Sequence, residues 1–351
     1  MKKVGKGNVT YMNTKMKNNY MKRVLYLVVI VLCVGCTNSS TEKYQKNRSN
    51  ILSLHDQVKE IRFDDVLIGS IARVYTLGEY LIVADHKSVD NLIHIFDKNS
   101  FNHVVSAVYS GQGPDEIANM GHIGIDTTNR TFYVSDHGKR KIFSYEVDSV
   151  VANPSYSPTV KMEMNTELFP DRYEYINDEL CFGRIIEPVG TSSFKQTVAK
   201  WNMVTGEILP MKYTHPEVDK KRTCFAVLID RDIYVECYNN YDLMSICNLN
   251  GDLICNVYGP NWSTRKGNIN HYNGVLFADD KIIASYSGGN LSTEEYYPTQ
   301  FIVYDLNGNY IKTLDIGYRI SDFIYDKETK RIFMNLNDDI QFAYLDLDGV
   351  I

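Results

Sequence analysis

The chain has 351 residues, of which 44% are hydrophobic and 23% charged, and its formal net charge is −6. The first 35 residues hold seven of the 37 Lys and Arg and none of the 43 Asp and Glu, so the remainder carries −13. A body this acidic repels phosphate backbones, which excludes nucleic acid as a partner, since binding it needs a basic footprint.

The apolar run from Val24 to Val34 covers eleven residues, too few to cross a bilayer as a helix. With its basic flank it predicts a secretory leader over residues 1–35. Met21-Lys22-Arg23 is a more ordinary start than Met1, so residues 1–20 read as an upstream extension. The run ends Leu32-Cys33-Val34-Gly35-Cys36. Gly before Cys at this place resembles the lipobox of bacterial lipoproteins, although Cys33 stands where that family usually has Leu. The resemblance implies acylation of Cys36 and a lipid anchor in the bacterial cell envelope, at the outer membrane. Two or more acyl chains anchor stably where one does not. The polar residues 36–56 then serve as a lipidated flexible tether.

Residues 57–351 read as one continuous unit. Short runs that alternate or are wholly apolar dominate, rich in Val, Ile, Tyr and Phe, and no helical period persists. A strand-like piece, Val58–Phe63, comes first. Four strands follow at Ser70–Thr76, Tyr80–Ala84, Leu92–Phe96 and His103–Tyr109. The pattern then recurs. Taking Tyr80, Phe132, Leu180, Ile233, Ile282 and Ile332 as equivalent gives steps of 52, 48, 53, 49 and 50 residues, with a degenerate third copy. Six units of four short strands at a steady period predict an all-β fold, a six-bladed β-propeller. The last unit supplies Ser321–Tyr325, Arg331–Asn335 and Gln341–Leu345 and then stops. Val58–Phe63 is expected to provide its missing outer strand and close the ring, because an open ring leaves two bare sheet edges.

The loop Tyr109-Ser-Gly-Gln-Gly-Pro-Asp-Glu-Ile117, with the strand Tyr133-Val-Ser-Asp136 after it, resembles the TolB-like six-bladed propeller lipoproteins of Gram-negative envelopes. It is also similar to NHL-type propellers, whose second strands end in Val-x-Asp. The resemblance covers about residues 57–351. It implies a six-bladed ring, export, and a binding or scaffold role towards a glycan, a peptide or an envelope protein.

In such a ring the loops between blades and the turns after each second strand share one face. Asp85, His86, Gln112, Asp115, Glu116, Asp136 and His137 fall there and form the expected ligand-binding face. Two Asp-His pairs 51 residues apart suit a metal or a proton shuttle. An Asp ending a strand also accepts backbone N–H bonds and fixes the turn; on that preferred reading His86 and His137 are exposed turn residues. The glycines and Pro of the Gly-Gln-Gly-Pro loop shape a crossover through φ > 0 and a fixed φ. No Lys-Ser/Thr follows, so it is not a phosphate loop.

The starts of the innermost strands place Arg73, His122, Tyr173, Arg222, Tyr272 and Asp322 at the channel mouth. That mixed set suits a small polar ligand or a peptide end. The alternative is a hydrolase or lyase using His122 and Asp322. Calcium-dependent lactonase-type propellers place Glu, Asn and Asp around the channel, so a hard-cation site is not expected here, nor any cofactor. Cys181, Cys224, Cys237, Cys247 and Cys255 are odd in number, leaving at least one unpaired. Turns at Asn239–Asp242 and Asn250-Gly251 set Cys237 opposite Met244 and Cys247 opposite Ile254, which predicts buried free thiols.

Overall fold

The segment Tyr80–Asp85 shows why these runs become strands. It is β-branched and aromatic, five of its six residues are buried, and such side chains pack well on a pleated surface covered on both faces. A computed structural model describes residues 41–191 and 193–351. The expected leader, residues 1–35, and Cys36 lie outside the described residues.

Six sheets follow one another along the chain. Blade one is Ala72–Leu77, Tyr80–Asp85, Asn91–Asp97 and His103–Tyr109. The first strands of blades two to six are Met120–Asp126, Phe169–Asn177, Thr223–Leu228, Ile269–Ala278 and Ile320–Asp326. These first strands approach one another around the centre. Each pair of neighbouring blades shares its own apolar cluster. Phe132 and Tyr145 stack at 5.2 Å between blades one and two, and Phe96, Phe333 and Phe342 fill the seam between blades six and one. A fully buried side chain of this size contributes roughly 2–3 kcal/mol.

The ring closes as the sequence predicts. Three strands precede blade one: β1 (Glu42–Tyr44), β2 (Ile51–Ser53) and β3 (Lys59–Ile61). Strand β3 lies antiparallel to the last strand, with Ile61 opposite Phe342 and Lys59 opposite Tyr344. The buried Lys98 of blade one reaches Asp326 of blade six at 3.1 Å, which adds an ion pair across the same seam.

Residues 41–56 depart from the expected tether. Strand β1 adds in parallel to Asn256–Tyr258 on the outer edge of blade four, and β2 adds in parallel to Thr313–Asp315 on blade five. The segment is therefore a strap passing over blades four, five and six in ring order. Its polar composition hides it, because a three-residue edge strand leaves most of its side chains in water. What holds it is backbone pairing, the Leu54 side chain buried in the core of blades five and six, contacts of Glu42 and Tyr44 with Tyr258, and a buried arginine. The Arg48 guanidinium sits 2.7 Å from Asp242, and the two side chains are 9% and 0% exposed.

Candidate functional site: the central channel

Inner strands of all six blades line one cavity of about 500 Å³ on the ring axis. Period-two alternation brings Arg73 and Tyr75, Arg172 and Glu174, and Asp322 and Ile324 onto its wall from blades one, three and six. Asp322 accepts a hydrogen bond from the Val74 backbone N–H at 3.0 Å and lies 3.9 Å from the Arg172 guanidinium. Beside it, Asp171 takes a bidentate pair from Arg184 at 2.8 and 2.5 Å. Arg184 also donates to the Thr223 carbonyl at 2.9 Å.

The electrostatics are lopsided. Repulsion from Arg73, helped by burial, pulls the Arg172 pKa down to about 10. For Arg73 burial opposes the charge, but Tyr75 and Asp322 outweigh it and hold the group above the usual arginine value. Burial lifts Asp322 above the usual carboxylate range despite both guanidiniums. Burial also lifts Glu174 to about 8, although it accepts from the Val227 N–H. At neutral pH Glu174 keeps its proton, so the carboxylates that attract Arg73 are Asp322 and, secondarily, Asp171, which Arg184 already pairs.

His122 is held neutral. Burial, then Arg73 and Arg172, push its pKa well below the ordinary value. Its Nε2 lies 2.8 Å from the Tyr173 carbonyl, so Nε2 carries the proton and Nδ1 is left to accept from the Tyr75 hydroxyl at 3.4 Å. Both ring nitrogens are thus engaged, so the ring holds the wall in place and has no free nitrogen for a general base.

Of the six expected mouth residues, Arg73, His122, Tyr173 and Asp322 line this cavity. Arg222 does not. Its guanidinium stacks 3.8 Å from the Phe194 ring and donates to the carbonyls of Lys221 and Phe194. Tyr272 does not either. Its strand breaks register on both sides of it, which turns the ring into the core between blades four and five. There its hydroxyl donates to Asp242 at 3.0 Å and accepts from Arg48 at 2.8 Å. The residues that sequence reasoning missed are Arg172 and Glu174. The alternation Arg172-Tyr173-Glu174-Tyr175 carried the signal, with two polar residues two apart flanking the chosen tyrosine.

The expected ligand-binding face is mostly occupied with itself. Asp85 accepts from the backbone N–H groups of Gly69 and Lys87 at 2.7 and 2.9 Å. Asp136, fully buried, accepts from those of Ala118, Asn119, Gly138 and Lys139. Both carboxylates fix turns. His86 is half-buried, not an exposed turn residue, and burial together with Arg73 lowers it to about 4. Its Nδ1 faces the Met120 carbonyl at 3.3 Å. His137 is also half-buried, against Phe169, and lowered by burial. Asp115 accepts from Ser157 at 2.7 Å, and Gln112 is exposed. Glu116 accepts from the Gly113 N–H at 2.7 Å. Neither Gly111 nor Gly113 has positive φ; a Cβ at Gly111 would lie 2.0 Å from the Glu116 carboxylate. The glycines make room for Glu116, and this corrects the expectation that they supply a left-handed backbone.

Among the described residues no group of three or more His, Cys, Asp or Glu could hold a metal ion, and no helix among them is long and apolar enough to cross a membrane.

A family model described as DUF5128, 6-bladed beta-propeller, matches residues 43–184. No curated protein matches the chain in sequence. Among solved structures, a member of the DUF4221 family from Bacteroides vulgatus is similar, with TM-score 0.56 and 12% identity over 83% of this chain and 98% of that one. A calcium-binding protein, regucalcin, from Agrobacterium tumefaciens is similar with TM-score 0.54 and 8% identity over 85% of this chain and 95% of its own. At such identities the likeness is one of fold. Strand order, ring closure and these matches together make the chain a six-bladed β-propeller.

Proposed function

We propose that this propeller is a binding module whose central channel takes a ligand presenting a carboxylate, such as an acidic sugar or a peptide C-terminus. One observation carries the reading. In an acidic protein, two guanidiniums, Arg73 and Arg172, converge on a 500 Å³ cavity lined by Asp322, while the neighbouring Asp171 is already paired with Arg184. Their mutual repulsion is relieved by an incoming anion, and Arg forks match carboxylate oxygens in bidentate geometry. The aromatic and aliphatic wall of Tyr75, Phe225, Val275 and Phe323 suits the apolar body of such a ligand. The hydrolase or lyase reading gains nothing from His122, whose nitrogens are both engaged. For location we propose an envelope lipoprotein acylated at Cys36. That reading rests on the leader pattern, and fatty-acid labelling lost in Cys36→Ser tests it.

The channel reading is tested by thermal shift of the full chain against glucuronate, glucose, and a short peptide with either a free or an amidated C-terminus. At about 10 mM even a millimolar Kd gives a measurable shift. The free carboxylates are expected to stabilise, and glucose and the amidated peptide are not. Arg172→Gln is expected to abolish the response. A wild-type chain indifferent to every carboxylate, or a shift that survives Arg172→Gln, refutes the reading.

A further inference from the structure

The innermost strand of blade four pairs with its neighbour so that Cys224 lies directly opposite Cys237. The turns at Asn239–Asp242 and Asn250-Gly251 had pointed elsewhere. Cys237 does face Met244 on its other side, while an irregularity at Cys247 sets it against Leu253 and not Ile254. Directly opposed residues of an antiparallel pair have Cα atoms about 4.5 or 5.5 Å apart, and both spacings fall within the range a disulfide spans. The Cys224 thiol already points across the pair, with its sulfur 3.6 Å from the Cys237 carbonyl. Cys224 is also reachable from the axis. It lines a small cavity of about 70 Å³ that shares Arg172 and Asp322 with the main channel. The hydrogen bond to Cys237, with the Arg184 and Arg172 charges, draws the Cys224 pKa below the ordinary thiol value. Burial holds Cys181, Cys247 and Cys255 above it.

We propose that Cys224 and Cys237 are a redox pair that closes into a cross-strand disulfide in the channel wall under oxidising conditions. This inference does not rest on the anion-binding reading. The oxidant is a low-molecular-weight or protein disulfide. The Cys224 thiolate attacks one of its sulfurs, a mixed disulfide forms and one thiolate leaves. The Cys237 thiol then loses its proton and attacks the Cys224 sulfur, expelling the second thiolate. Two protein thiols are oxidised and one external disulfide is reduced to two thiols. The three other buried cysteines have no cysteine among their strand partners and stay reduced.

The test equilibrates the full chain with a glutathione/glutathione-disulfide series in two arms, native and refolded from urea in the same buffer. The second arm removes burial as a barrier. Alkylation after denaturation, followed by peptide mapping, reads each cysteine. Trypsin cuts after Arg231, and chymotrypsin after Tyr238, Leu249 and Leu253 parts Cys237, Cys247 and Cys255, so the disulfide joins two peptides that separate on reduction and name both cysteines. Cys224 and Cys237 are expected to lose alkylation together in at least one arm, with Cys181, Cys247 and Cys255 still alkylated. In Cys237→Ser the linked peptide disappears, and Cys224 stays free or carries glutathione. Full alkylation of Cys224 and Cys237 in both arms overturns the proposal. So does a linked peptide joining either of them to another cysteine.

Discussion

Replacing Arg48 by Ala removes the charged side chain that the strap buries in the protein. The guanidinium bonds both oxygens of Asp242, at 2.7 and 3.3 Å, and the hydroxyls of Tyr272 and Tyr304 at 2.8 and 3.2 Å. It also lies 4.7 Å from the centre of the Tyr286 ring. Breaking a buried pair by removing one partner costs about 3–5 kcal/mol, because the other charge stays buried. Asp242 keeps three donors, Tyr272 at 3.0 Å, Tyr286 at 3.3 Å and the Asn261 N–H at 3.1 Å, so the low end applies, about 3 kcal/mol. At about 2–4 °C per kcal/mol for a large domain, the melting temperature falls by roughly 6–12 °C. Thermal and urea unfolding measure the loss. Adding Asp242→Asn removes the orphaned charge, so the double variant is expected to lose less than the two single losses added together. A loss below about 1 kcal/mol for Arg48→Ala, or strict additivity with Asp242→Asn, refutes the view that a buried charge pair fastens the strap.

Asp136→Ala leaves four backbone N–H groups without their acceptor. Urea unfolding is expected to show a loss of about 3 kcal/mol, whereas Asp115→Ala at an exposed position changes stability by about 0.5 kcal/mol or less. Glu174 supplies a pH signature. Its pKa rises from 4.5 to about 8 on folding, so the native state holds a proton that the unfolded state releases. Stability therefore falls as pH climbs from about 4.5 to about 8 and levels off above that. Glu174→Gln is expected to lack that fall and to be about 2 kcal/mol less pH-sensitive over the window, after discounting for channel water; parallel pH profiles for the two proteins would remove this assignment. The same ionisation adds a negative charge to the channel, so carboxylate affinity measured by calorimetry is expected to drop as pH passes about 8 in the wild type and not in Glu174→Gln.

The ring itself was legible because period and closure are properties of whole strands. Six recurrences of an apolar run survive local errors, and the missing outer strand of the last unit points to Val58–Phe63 without side-chain detail. The channel was half legible. Arg73, His122, Tyr173 and Asp322 follow from counting to the start of each inner strand. Tyr272 fails because irregularities on both sides of it shift the register, and a one-residue slip sends a side chain to the other face. Arg172 and Glu174 were passed over because one residue was chosen per inner strand, and the polar alternation on either side of Tyr173 was not followed. The strap was not legible at all. Glu42–Tyr44 and Ile51–Ser53 have no periodicity long enough to read, and their stabilising partner, Asp242, lies 194 residues from Arg48.

The join between Lys59–Ile61 and Phe342–Tyr344 also sets the order in which the molecule can be finished. Synthesis delivers the amino end first, yet the segments docked on blades four, five and six have no sheet to join until most of the chain exists. A nascent polypeptide halted at Asn337 has made 25 of the 26 strands among the described residues, and Ile61 still lacks the neighbour it needs. Completion is therefore a single late event that depends on the fourteen residues after Asn337. A premature stop codon before Phe342 leaves an incomplete circle with an exposed, pairing-prone flank.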